Sequence, residues 1–143
     1  MSFYMATTKI EPGKTAAEIT ALLGRKGAKS ILTEYECGEI VALSFLIERE
    51  GKEIPFRLPL RWENCLEAMK RDRQTPRHLL RVDQAKRTAW RIILRWIEAQ
   101  FALIDTGMAS LMEVMLPYVQ VAPNQTFYER IEGDKFKMLP ERT

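Results

Sequence analysis

Arg57, Arg61, Lys70, Arg71, Arg73, Arg77, Arg81, Lys86, Arg87, Arg91 and Arg95 share one stretch with only four acids, Glu63, Glu67, Asp72 and Asp83. Residues 57–95 therefore carry a formal +7 in a chain whose total is +3, and everything outside them sums to −4. Nine of the eleven basic side chains are arginines, whose planar forks grip phosphate oxygens in pairs and stack on bases. The chemistry such a stretch suits is capture of a polyanion, nucleic acid above all. Trp62 beside Arg61, and Trp90 between Arg87 and Arg91, add rings of the kind on which unpaired bases stack. Arg57, Arg61, Trp62, Arg73, Arg77, Arg87, Trp90 and Arg91 are accordingly the candidate nucleic-acid-binding residues. The competing reading is ordinary: arginines solvate helix faces, and tryptophans pack cores.

Catalysis has no comparable support. The single histidine, His78, sits in Pro76-Arg77-His78 with no cysteine, aspartate or serine placed in sequence to orient it. Ser2, Ser30, Ser44 and Ser110 lie in no Gly-x-Ser-x-Gly elbow. Gly24-Arg25-Lys26-Gly27 lacks the strand-glycine-helix order of a phosphate-binding loop. Cys37 and Cys65 form no zinc or iron spacing with His78. Glu48, Glu50, Glu53 and Lys52 cluster near a hairpin in a helix-strand-strand-strand-helix order shared with many nucleases, but a two-metal site needs more convergent carboxylates. The expectation is a protein that is not an enzyme and that needs neither cofactor nor metal.

The elements that must position the arginines follow from periodicity. Residues 3–10 read as a first strand, ended by Pro12-Gly13, and residues 14–24 as a short amphipathic helix with Thr15 and Glu18 as a capping box. Strands at 30–36, 39–48 and 53–60 form an antiparallel meander through short turns at Cys37-Gly38 and Glu50-Gly51-Lys52. Pro55 and Pro59 put the last of these at a sheet edge or require a bulge in it. The middle strand shows Val41, Leu43, Phe45 and Ile47 on one face and Ile40, Ala42 and Leu46 on the other, which predicts cover on both sides. Helices follow at 62–70, 82–104 and 108–118.

On a wheel of the 82–104 helix, Ala85, Ala89, Ile92, Ile93, Trp96, Ile97, Leu103 and Ile104 form one face. Arg87, Arg91 and Arg95 form the opposite one, with Trp90, Leu94 and Phe101 at the border. An apolar arc this wide hints at a homo-oligomer.

The fold class read from this pattern is α+β, with about four strands in β-α-β-β-β order and a helical C-terminal half. Residues 1–121 read as one domain, and residues 122–143 as a tail or a small hairpin around Glu132-Gly133-Asp134. No apolar run approaches a membrane span and no basic leader opens the chain, so no membrane partner is expected and the cytoplasm is the expected compartment.

Thr8-Lys9-Ile10, Lys14-Thr15-Ala16-Ala17-Glu18-Ile19, Gly27-Ala28, Glu34-Tyr35, Ser44-Phe45 and Pro55-Phe56-Arg57-Leu58-Pro59 together resemble small bacteriophage and mobile-element proteins of no established activity. The resemblance covers about half of the chain and extends into Ala89-Trp90-Arg91. It implies a setting of DNA replication, recombination or evasion of host defence, and it assigns no residue a role. The functional expectation is non-sequence-specific binding of nucleic acid, single-stranded DNA in particular. The alternative is an oligomeric sequestering protein that holds a host protein or an anionic nucleotide.

Overall fold

The computed structural model describes residues 3–142, so Ser2 lies outside the described residues. The chain runs α1 (Pro12–Arg25), β1 (Ala28–Glu36), β2 (Glu39–Arg49), β3 (Lys52–Pro59), α2 (Trp62–Arg71), α3 (Val82–Asp105), α4 (Leu111–Met115), β4 (Gln120–Ala122), β5 (Gln125–Thr126) and α5 (Phe127–Gly133). Single 3-10 turns at Arg77–Leu79 and Leu116–Tyr118 join α2 to α3 and α4 to β4. The class is α+β: an antiparallel three-stranded sheet in the order β1-β2-β3, helices after it, and a two-stranded β4-β5 ribbon.

The sheet has three strands where four were expected. Residues 3–10 form turns instead of a strand, with the Ala6 N–H donating to Phe3 O at 2.9 Å and the Thr8 N–H to Met5 O at 3.2 Å. Their carbonyls find partners on α3 rather than on a neighbouring strand. The Gln84 side-chain amide donates to Ala6 O and Thr8 O, both at 2.8 Å, and the Thr88 hydroxyl donates to Met5 O. The expected capping box at Thr15 is also displaced. Pro12 opens α1 three residues earlier, since a first-turn proline lacks only an N–H the helix does not use. Thr15 is then buried inside the helix with Ala16, Ile19, Leu22 and Leu23.

Both hairpins are two-residue turns with both central residues at positive φ, Cys37-Gly38 at 51° and 79° and Glu50-Gly51 at 53° and 76°. That geometry matches the right-handed strand twist and fixes the register, so Leu43, Phe45 and Ile47 face Leu58, Phe56 and Ile54 on one side. Phe45 and Phe56 stack there with centroids 5.2 Å apart. Near its start β2 carries a bulge: Glu34 pairs with Ala42 but Tyr35 pairs with Ile40, leaving Val41 as the extra residue. The bulge shifts the alternation, and Ile40 packs against the core cluster instead of facing away from it. β3 sits at the edge as its prolines require, and Val119 makes one bridge to it at Phe56.

One face of the sheet meets α1, and α3 packs between α1 and α2. The buried centre of α3 is Trp90, Leu94, Ile97 and Phe101, joined to Leu43, Phe45, Phe56 and Leu58 in one cluster. These are largely the residues the wheel placed at the border, while Ile92, Ile93 and Trp96 are only half-buried. Counting apolar residues cannot find the centre of an arc packed from two sides. The expected 108–118 helix divides into α4 and a 3-10 turn, consistent with Pro117, which has no N–H to give. The expected boundary at 121/122 falls within the β4-β5 ribbon, whose turn is Pro123-Asn124, and the segment around Glu132-Gly133 belongs to α5 and its end rather than to a hairpin.

Trp90 is fully buried, so Trp90→Ala is expected to cost about 3–5 kcal/mol in urea unfolding. Trp90→Phe also removes an indole N–H that has no acceptor, and is expected to cost much less. A loss below about 1 kcal/mol for Trp90→Ala would contradict this core assignment.

Candidate nucleic-acid interface

The structure does not gather the basic stretch onto one face. Arg57, on the sheet face opposite the helices, donates through Nε to Glu34 Oε2 at 3.1 Å, and its side chain is only 13% exposed. Arg87 binds Glu11 at 2.9 Å, Asp83 at 3.4 Å and the side-chain Oε1 of Gln84 at 3.1 Å, linking the start of α3 to the start of α1. Arg91 donates to Glu18 Oε2 at 2.9 Å and to Thr15 Oγ at 3.4 Å, with 6% of its side chain exposed. Lys86 pairs with Glu39 and lies over the Trp62 ring, 5.0 Å from its centroid. Lys70, Arg81 and Arg95 pair with Glu67, Asp83 and Glu98 on their own segments.

Five of the candidates are paired or covered in this fold. Arg57, Arg87 and Arg91 are ion-paired and largely covered, and a phosphate would have to displace a carboxylate already in place. Trp90 has no exposed surface on which a base could stack. Trp62 is half-buried against both core clusters with Lys86 over its ring, so it offers no open platform either. Arg61 remains 47% exposed and reaches Glu129 only at 3.6 Å. Arg73 and Arg77 are exposed and, like Arg71, have no side-chain partner among the described residues. The unpaired cations of the stretch thus fall together in residues 71–77, the end of α2 and the loop after it. Arg71 is the one the spacing did not single out.

That loop has a defined shape. Asp72 accepts from the Thr75 hydroxyl at 2.8 Å and from the Gln74 N–H at 3.1 Å, an Asx-type turn. The buried Thr75 Oγ in turn accepts the Phe3 N–H at 3.0 Å, which pins the N-terminal segment against the loop. Tyr4, the next residue, is 59% exposed. Nothing in the spacing links this segment to the loop, because Phe3 and Thr75 are far apart in the chain.

At the other end, α5 begins with a reciprocal capping box between Thr126 and Glu129. Burial alone would raise the Glu129 carboxyl, but the Thr126 N–H and hydroxyl, with Arg61 and Arg57 nearby, outweigh it and hold the group below the usual carboxylate range.

Two of the three glutamates of the acidic cluster read for a nuclease are bridged by one lysine. Lys29 spans Glu48 at 3.2 Å and Glu53 at 2.8 Å, and among the described residues no group of three histidine, cysteine or acidic side chains is placed to hold a metal ion. No helix among the described residues is long and apolar enough to cross a membrane. No protein-family model, no curated protein and no solved structure matches the chain.

The Thr75 hydroxyl, followed by the Gln74 N–H, holds the Asp72 carboxyl below its ordinary 3.8. A depressed folded pKa means the turn's contribution is complete above 3.8 and fades as the pH falls below it. The Gln74 and Thr75 amide resonances should titrate with a midpoint below 3.8, and Thr75→Val should move that midpoint upward. Thr75→Val should also cost about 1–2 kcal/mol, because the Phe3 N–H loses its acceptor. A wild-type midpoint at or above 3.8 would contradict the turn.

Proposed function

We propose that the chain binds nucleic acid without sequence preference, single-stranded DNA in particular, through Arg71, Arg73 and Arg77. The observation that carries this reading is the division of the basic stretch. Its other cations each face a carboxylate, Arg61 the most loosely at 3.6 Å, whereas these three have no side-chain partner among the described residues and lie within seven residues at the end of α2 and the loop after it. Unpaired guanidinium groups on a short, ordered segment suit phosphates spaced along a backbone and lose little entropy on binding. Tyr4, one residue from the pinned Phe3, is an exposed ring of the kind that stacks on an unpaired base. Contacts of this kind read charge rather than base edges, so sequence should matter little.

The test is fluorescence anisotropy with a labelled oligothymidine at several salt concentrations. Three phosphate contacts on a single strand give a slope of log affinity against log salt of about −2. Replacing Arg71, Arg73 and Arg77 together by glutamine should weaken binding by more than about tenfold and flatten that slope, while Arg87→Gln should change affinity by less than about twofold. Absence of binding at low salt, or an Arg87→Gln effect as large as that of the triple variant, would refute the proposal. Competition at equal strength by a mononucleotide would instead favour capture of a small anionic ligand.

A further inference from the structure

The half-buried flank of α3 lines a pocket. A void of about 300 Å³ lies between the end of β3, α2, α3 and the 3-10 turn at Leu116–Tyr118, and its walls include Pro59, Cys65, Ile93, Trp96 and Tyr118. Trp96 and Tyr118 form one wall as a tilted pair, with centroids 5.1 Å apart and planes at 58°. The only charged side chain in the lining is Arg61.

This is the volume of a small ligand site, at the lower end of the roughly 300–1,000 Å³ usual for ligand pockets. The pocket opens to solvent on one side, and its lining is largely apolar, so an apolar body gains by leaving water against it. The polar group that would fix orientation is Arg61, half-exposed and held only at 3.6 Å by Glu129. Its fork is thus available to a second carboxylate, which it would hold in two parallel hydrogen bonds. Cys65 does not oppose an anion there: burial pushes its thiol pKa up, so it stays protonated at neutral pH.

From this geometry we infer that the chain has a small-molecule site between β3, α2 and α3 that takes a compact aromatic or short acyl carboxylate. The apolar body sits against Trp96 and Ile93, and the carboxylate pairs with Arg61. The planar walls suit a bicyclic ring; the single cation suits a single acid group. This assigns Arg61 to a small ligand rather than to a nucleic-acid backbone, and it gives the wide apolar arc of α3 a use other than oligomer contact. The site is independent of the loop at residues 71–77.

The experiment titrates the protein with 2-naphthoate and with neutral 2-naphthylmethanol by calorimetry, and maps each by the side-chain resonances of Trp96 and Tyr118. 2-Naphthoate should bind about tenfold or more tightly than the alcohol, consistent with a charge-assisted pair. Arg61→Gln, a substitution at an exposed side chain that leaves the core untouched, should abolish that difference and leave the alcohol's affinity unchanged. Ile93→Phe should weaken both compounds by filling the cavity. The Arg71, Arg73 and Arg77 triple variant should bind both as the wild type does, which separates this site from the nucleic-acid reading. Absence of binding by either compound up to about 1 mM, equal affinity for acid and alcohol, or perturbations centred away from Trp96 and Tyr118 would overturn the inference. A stable homodimer that covers the same resonances in the free protein would overturn it as well.

Discussion

Everything else in the structure depends on the burial of α3. Its apolar residues cover more than half of its circumference, and Trp90, Leu94, Ile97 and Phe101 can leave water only if α1 and the sheet close over them while α2 packs on another side. A helix enclosed in this way carries its arginines into the interfaces with it. Arg91, one residue from Trp90, cannot project freely into solvent, and it is stabilised by Thr15 and Glu18 of α1. Arg87, one turn earlier, meets Glu11 at the head of the same helix. A buried charge without a partner costs several kcal/mol, whereas a paired one is tolerated. The ion pairs are therefore a condition of the packing rather than its driving force.

This changes the meaning of the charge asymmetry. A +7 stretch inside a chain whose remainder is −4 looks like a polarised surface. In the fold much of the asymmetry is complementarity between segments: Glu11 and Glu18 of the first helical region, Glu34 and Glu39 of the first hairpin and Glu129 of the last helix each face a cation from residues 57–91. Charge that reads as one-sided along the chain becomes locally balanced in space. What stays unbalanced is the end of α2 and the loop after it, because a connection on the surface has no facing element to supply acids.

Elements whose signal is local were legible in the sequence. The two hairpins follow from Cys37-Gly38 and Glu50-Gly51, the edge position of β3 from Pro55 and Pro59, and α2 and α3 from periodicity that the structure extends by a residue each. Features decided by distant partners were not. Residues 3–10 have strand-like composition but take their hydrogen bonds from Gln84 and Thr88. The centre of α3 depends on where α1 and α2 press, and Ile40 changes sides through a bulge that no residue type announces. For the candidate residues, the types are legible in the sequence, but which arginines are exposed and which are paired is a property of the fold. The signal that was present was the −4 remainder, which had to lie against something.

The division of arginines into paired and free is open to direct measurement by phenylglyoxal modification of the native protein, with the rate at each arginine read by mass spectrometry. Arg71, Arg73 and Arg77 are expected to react fastest, and Arg57, Arg87 and Arg91 to be protected until the chain unfolds. An oligonucleotide should slow the first group alone. Uniform reactivity across all six, or protection of Arg87 and Arg91 that appears only when oligonucleotide is added, would contradict a fold in which the helix arginines are held by its own acids.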